Sequence, residues 1–502
     1  MRPLPARRRR RLPLLPLLPL LLGACDGESG LSGKPGGEGG GEGGEGDDSG
    51  GPTPGQNLEP FAVLDGTDGD SAGGCLDGGA DLDGDGLTDL VVSGPLGNRA
   101  TLWSGADLGP LGTLQGEVEY DYAGYATAGT DDRSGDAYDD LLIGAIANRE
   151  AGGNSGKVYL VSGPVPAGAP DTPLADSFAT WTGEDAGDYL GAALAPTGDL
   201  TGDGQGDLLF GAPGNDNGGA GGGRAYLVAG PVEAGARSIT SAWAALSGGS
   251  TAALTGAAPP AAAPPPHGAY GSGDAIGQSL AGRSDWSGDG LTDLALGASG
   301  DVELGPNTGG VFVWEGPLAP GPGGVADADV RLHGPAMGSY AGTPITEPGD
   351  LDHDGYDDLL VSADGQEAGR VYLLSGPLLE GRIDQLARTT FVGEATGDLF
   401  GASLHAPIDL DGDGELELLI GAPSSDRRRY EGGAAYLWEG PWSPGTLTVD
   451  AASATLDAEA DADNLASAIS LFGLDRLAVG ARWNNSGGLY AGRVYLLDLH
   501  TP

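Results

Sequence analysis

Cysteine and basic side chains are scarce in this chain, and each scarcity excludes something. Two cysteines, Cys25 and Cys75, cannot build a disulfide scaffold if one of them has another use. Lys and Arg number 24 against 72 Asp and Glu, an imbalance that repels nucleic acid and anionic membrane surfaces, so no nucleic-acid partner is expected. Five histidines, His267, His333, His353, His405 and His500, form no spaced ligand set and no triad with a serine elbow. The many Gly pairs lack the Lys and the following helix of a phosphate-binding loop. No enzyme is expected from these absences. Long helical periodicity is missing too, and the apolar runs of four or five residues are bounded by Gly and Pro, the mark of short strands.

The one basic run, Arg7 to Arg11, precedes LPLLPLLPLLLGAC, which is too short and Pro-rich to span a bilayer and reads as an export signal. Leu22-Gly23-Ala24-Cys25 resembles the lipobox of bacterial lipoproteins. That resemblance implies a signal peptide over 1–24, cleavage before Cys25 and acylation of Cys25, hence a lipid anchor as the hold on the membrane. Residues 25–58, Gly- and Glu-rich, read as a flexible tether with a reach on the order of 30 Å. The expected location is the bacterial cell envelope, at the outer membrane or cell surface; Asp26 beside the lipid cysteine leaves the inner membrane, facing the periplasm, as the other address.

From 59 to 502 one unit recurs. A first strand (AGGCL, AGYAT, LGAAL, IGQSL, AGTPI, FGASL) leads to an acidic turn, then to a second strand, then to a third such as GKVYLVSGP or GRVYLLSGP. A seventh copy, about 465–500, keeps LASAI, LAVGA and GRVYLLDLH but has lost the acidic loop between the first two. Small antiparallel sheets repeated in this way suit an all-β, seven-bladed β-propeller, whose ring disposes of exposed edges. The segment 57–66, NLEPFAVLDG, is assigned to complete the last blade, which lacks a fourth strand of its own. Cys75 aligns with small residues of the innermost strand and is expected as a buried free thiol. Pro344 stands inside a first strand, and the Pro-rich interval 231–275 reads as a protruding loop.

Phe400-Gly401, Gly421-Ala422-Pro423 and Gly211-Ala212-Pro213 give the pattern a resemblance to the FG-GAP repeat family, the seven-bladed propeller at the head of integrin alpha chains and of many bacterial surface proteins. The resemblance implies calcium in the turns and a binding or adhesive role.

The turns occupy 81–89, 132–140, 199–207, 285–293, 350–358 and 409–417. Positions 1, 3, 5 and 9 are acidic or hydroxylic, a hard-oxygen set that suits calcium and lacks the sulfur and nitrogen of a zinc site. No Glu closes the turn at position 12 and no helix follows, so an EF-hand is excluded. The side-chain candidates are Asp81, Asp83, Asp85, Asp89; Asp132, Ser134, Asp136, Asp140; Asp199, Thr201, Asp203, Asp207; Asp285, Ser287, Asp289, Asp293; Asp350, Asp352, Asp354, Asp358; and Asp409, Asp411, Asp413, Glu417. Leu87, Tyr138, Gln205, Leu291, Tyr356 and Glu415 are placed to add carbonyl oxygens at position 7. About six calcium ions are expected, one per acidic turn.

The function expected is a calcium-stabilised, membrane-tethered, extracytoplasmic binding or adhesion protein that recognises protein or glycan through propeller loops. A structural envelope scaffold is the alternative, and a hydrolase acting from the propeller face a further one. Trp181, Trp243 and Trp286 are the aromatic candidates for a binding surface.

Overall fold

The computed structural model describes residues 56–165, 168, 171–249, 273–409, 415–473 and 475–498. The expected signal peptide, Cys25, nearly all of the tether and most of the Pro-rich interval lie outside these residues. Every described sheet is made of short strands, and there are seven sheets, arranged as the blades of a β-propeller. Blade 1 runs Cys75–Ala80, Asp89–Gly94, Arg99–Trp103 and Pro110–Gln115 in antiparallel succession. Blade 4 repeats the order with Ser279–Ala281, Leu294–Gly297, Gly310–Trp314 and Val330–His333.

Six blades carry a fifth, parallel edge strand that the sequence reading did not foresee. Gly235–Ser238 pairs with Ala179–Thr182 of blade 2 before the chain enters the outer strand of blade 3. The segment ahead of each outer strand thus laces one blade to the next. The N-terminal segment does the same: Gln56–Asn57 pairs in parallel with Ala454 and Thr455 of blade 6, and Ala62–Asp65 then pairs antiparallel with Arg493–Leu496 as the fourth strand of blade 7. Residues 56–58 therefore belong to the propeller and not to the tether, and Leu58 enters the core between blades 6 and 7.

Apolar side chains collect into seven clusters, each spanning the contact between two neighbouring blades. Between blades 2 and 3, for example, Leu142, Val158 and Trp181 meet Phe210 and Tyr226. The second strand of a blade is buried along its whole length, as in Asp140–Ala145, because both faces are covered by other blades. Full burial of one such Leu or Ile is worth about 1.5–3 kcal/mol.

The same crowding explains the Gly in the second strand of blades 2, 3, 4 and 7. A Cβ on Gly211 would lie 2.0 Å from the Gly277 carbonyl oxygen, and one on Gly144 2.1 Å from that of Gly191; Gly191 and Gly277 both have φ of +90°. In these blades backbone of one blade rests directly on backbone of the next, an approach the paired glycines allow. Pro344 precedes its strand, Ile345–Gly349, and offers its carbonyl to the Ser362 amide at 3.0 Å. Cys75 is a free thiol but is only half-buried; it meets Thr127 Oγ1 at 3.4 Å, and burial pushes the thiol above its ordinary value.

Candidate metal centres on one face

Because strands alternate in direction, all the acidic turns fall at the same end of their blades, between first and second strands. The face opposite is built from the loops between second and third strands and from the connections between blades.

Each of turns 1 to 5 is a cage of its own amides. In the first, Asp81 Oδ1 accepts from the amides of Gly84 at 2.8 Å and Asp85 at 3.1 Å, and Oδ2 from Gly86 at 2.8 Å. Asp132, Asp199 and Asp285 accept from their own positions 4, 5 and 6 in the same way, and Asp350 from positions 5 and 6. Asp85, Asp136, Asp203, Asp289 and Asp354 each accept from the amide of position 7, held by Leu87, Tyr138, Gln205, Leu291 and Tyr356. The acid at position 9 opens the second strand and faces inward. Asp89, Asp140, Asp207, Asp293 and Asp358 are fully buried. Asp140 accepts from the amides of Arg133 at 2.8 Å, Ser134 at 2.7 Å and Gly163 at 3.3 Å, so it ties its turn to the next loop of its blade. Loss of hydration pushes Asp89, Asp140 and Asp358 up to about 6, and raises Asp207 and Asp293 as well.

Buried carboxylates held in that state suit a cation. In turn 1, oxygens of Asp81, Asp83 and Asp89 lie within 4.8 Å of one another, and in turn 5 those of Asp350, Asp352 and Asp354 do so. An ion with bonds of roughly 2.4 Å spans that separation. Asp352 Oδ2 accepts from Ser375 Oγ and Arg388 Nη1, each at 3.0 Å, whereas its Oδ1 is buried without a hydrogen-bond partner. These observations fit a hard cation. Turns 2, 3 and 4 bring a hydroxyl in place of the third carboxylate: Ser134, Thr201 and Ser287. In turn 6, Asp409, Glu415 and Glu417 flank residues 410–414, so Asp411 and Asp413 lie outside the described residues.

Two structural devices of the turns were not visible in the spacing. Position 2 is a plug for the next blade: Leu82 packs with Leu141 and Tyr159, Leu200 with Leu294, and Trp286 with Leu359 and Tyr372. Position 8 can latch the preceding turn, since Asp139 Oδ2 accepts from the Asp81 amide at 2.9 Å and Asp357 Oδ2 from the Asp285 amide at 2.8 Å. The aromatic candidates need correction accordingly. Trp181 and Trp286 are each 1% exposed and belong to the core, with Trp286 Nε1 donating to the Asp358 carbonyl; Trp243, 38% exposed, alone reaches solvent. A third group, Asp301, Glu303 and His333, lies on the opposite face, and its members are too far apart in the chain to stand out as a motif.

Comparison with known sequences agrees with this architecture. The FG-GAP repeat model matches residues 190–228, 346–374 and 400–438, within blades 3, 5 and 6. The chain is 34% identical to human (Homo sapiens) integrin alpha-IIb over 29% of its length, and 33% identical to integrin alpha-4 of Xenopus laevis over 28%. It is 34% identical to the phosphatidylinositol-glycan-specific phospholipase D of Bos taurus over 22%. It covers only 14 to 15% of those relatives' own length. Among solved structures, that of BBS1N in complex with ARL6DN, soaked with mercury, is similar over 89% of this chain and 98% of that one, with a TM-score of 0.46 and 8% identity. The chain has an FG-GAP-repeat, integrin-alpha-like seven-bladed β-propeller fold with turns able to hold metal ions.

Proposed function

We propose that the protein is a calcium-loaded propeller held at the bacterial cell envelope by a lipid on Cys25, and that it binds a protein or glycan through the face opposite its acidic turns. The observation that carries the binding face is the placement of exposed apolar side chains. Val118 (59%), Tyr120 (58%), Leu304 (51%), Met337 (71%), Tyr430 (66%) and Leu489 (62%) all sit on loops of that one face. Only Leu379, at 62%, matches them on the turn side among the described residues. Apolar side chains gathered on one rim of a rigid scaffold are the composition of a recognition surface.

Calcium has the complementary task on the other face, where it neutralises carboxylates that the fold has buried and closes each turn against its neighbour. The side chains that would hold it are those at positions 1, 3, 5 and 9. The likeness to integrin alpha chains supports adhesion in preference to catalysis. Among the described residues no helix is long and apolar enough to cross a membrane; the hold on the bilayer proposed from the lipobox is the lipid on Cys25.

The test is binding of purified chain to solubilised envelope proteins and to a glycan array, in calcium. A Met337→Ser, Tyr430→Ser double variant should lose the interaction, and Leu379→Ser should keep it. Equal binding by both variants would refute this face as the site. Intact-mass analysis of the mature N-terminus tests the lipid separately.

A further inference from the structure

The corner where the third strand begins on the loop face is built alike in six blades and differently in the fourth. Blades 1, 2, 3, 5 and 7 open that strand with a base that pairs with nearby acids. Arg99 meets Asp70, Lys157 meets Glu117 and Glu150 at 2.8 Å, and Arg224 meets Glu184 at 3.0 Å. Arg370 meets Glu367 at 3.0 Å, and Arg493 meets Asp65 at 2.7 Å and Glu459 at 2.9 Å. Blade 6 supplies Arg427 from the adjoining loop, 3.1 Å from Glu394 and 3.3 Å from Asp457. In blade 4 the position is Gly310, directly opposite His333 in the strand register.

A second substitution coincides with the first. Asn148 Nδ2 donates to Asp121 Oδ2, and Asn215 Nδ2 to Asp188 Oδ2, both at 2.9 Å, across the step into each blade. Asp301 holds the equivalent place in blade 4. Its amide donates to the Ala298 carbonyl and its carbonyl accepts from Gly309, as Asn215 does with Ala212 and Gly223. The acid on the other side is Asp274, whose carbonyl accepts from the Gly300 amide. Blade 4 therefore sets carboxylate beside carboxylate where blades 2 and 3 set amide beside carboxylate, and it omits the base as well.

What remains is a ligand set. Asp301 is 5% exposed; its Oδ1 accepts from the Glu303 amide at 3.0 Å, while Oδ2 stands 4.0 Å from His333 Nδ1, too far for a hydrogen bond. That Oδ2 also lies 3.3 Å from where a Cβ on Gly310 would be, so it points into the room the missing side chain leaves. Glu303 Oε2 is 3.8 Å from His333 Nδ1, and one ligand atom from each of Asp301, Glu303 and His333 falls within 4.8 Å of the other two. Among the described residues His333 is the one base within 4.0 Å of Asp301 and Glu303.

We propose that Asp301, Glu303 and His333 bind a divalent transition metal such as zinc, which takes the place of the base that the other blades supply and of the amide that blades 2 and 3 supply. One imidazole with two carboxylates is a borderline donor set and differs from the all-oxygen turns on the far face, so the metal it selects differs from theirs. Asp274 is outside this set, and its Oδ2 accepts from the Gly249 amide at 2.6 Å.

The experiment titrates zinc into the untagged full chain, with calcium present throughout, by calorimetry and by thermal denaturation. Wild type should bind one more zinc ion than Asp301→Asn or His333→Gln, or bind it at least about tenfold more tightly. Zinc should raise the melting temperature of wild type and of neither variant. Asp301→Asn restores the amide found in blades 2 and 3, so without zinc its melting temperature should equal or exceed that of wild type, which separates loss of a ligand from damage to the fold. Zinc stoichiometry and affinity unchanged in both variants would overturn the proposal. So would a metal-free Asp301→Asn protein less stable than wild type.

Discussion

Blades 1 to 5 and blade 7 close the same corner in opposite ways. In the five, a nine-residue turn folds around its own carboxylates and delivers a buried acid to the head of the second strand, as Asp140 in blade 2. In blade 7 the acidic turn is gone, Asp475 alone remaining before the second strand, and the head of that strand is Arg476, whose Nη1 donates to the Gly105 carbonyl at 2.9 Å and whose guanidinium lies 5.7 Å from the centre of the Phe61 ring. The short turn is fastened to blade 1 by the Gly473 amide on the Thr88 carbonyl at 2.8 Å. One solution concentrates negative charge and calls for a cation from solution. The other carries its cation covalently. Stability of the first kind depends on calcium, and stability of the second does not.

The largest expected effect comes from removing calcium. A site of 0.1 mM dissociation constant at roughly 1 mM calcium contributes about 1.4 kcal/mol, so six independent sites contribute about 8 kcal/mol. Chelation should lower the melting temperature sharply in scanning calorimetry, and metal analysis of dialysed protein should find about six ions. An unchanged melting temperature would show that the turns stand on their amide cages alone. Turns 1 and 5, with carboxylates at all four side-chain positions, should hold their ions more tightly than turns 2, 3 and 4, where a hydroxyl replaces one.

Next in size is a single turn. Asp140→Ala removes the acceptor for three buried amides and should cost about 2–4 kcal/mol in calcium. The difference between calcium and chelator should shrink by one site's contribution. Arg476→Ala should cost less, about 1–2 kcal/mol for one hydrogen bond and one cation–ring contact. Its cost should be equal with and without calcium. A calcium-dependent cost for Arg476→Ala would erase the distinction between the two corners.

The parts legible in sequence were those whose physics is local. Six acidic turns in phase, each followed by a run such as Leu141–Ile143, announced both the blade count and the hard-oxygen chemistry, and the degenerate copy announced Arg476. The closing strand at Ala62–Asp65 followed from counting three strands in the last unit. The parallel edge strands did not show, because segments such as Gly235–Ser238 and Gly321–Gly324 have no apolar alternation and are defined by the blade they meet. Trp286 read as a candidate for a binding surface although it stands in an acidic turn; the ring turns that position toward the neighbouring blade. The set of Asp301, Glu303 and His333 needed the fold to bring together a loop and the end of the fourth strand.

The smallest effect isolates what burial of an acid costs when neither a turn nor a cation is at hand. Asp364, in the loop after the second strand of blade 5, is 5% exposed, and burial pushes it from 3.8 up to about 7. An acid whose folded value is raised favours folding in its protonated form. Its contribution is therefore fully present below the unfolded value near 4 and is lost as pH rises through about 7. Position 9 acids shift in the same direction but less far, because amides partly replace the water they lost. Asp364→Asn keeps the shape and removes the titration. In chelator, the melting temperature of the variant relative to wild type should climb steadily between pH 4 and pH 7 and level off above. Calcium should leave that difference curve unchanged, whereas it should abolish the corresponding curve for Asp140→Asn, since a bound ion holds that carboxylate charged at every pH where the site is filled. A difference curve for Asp364→Asn that is flat, or that responds to calcium, would mean that its burial is not what raises it.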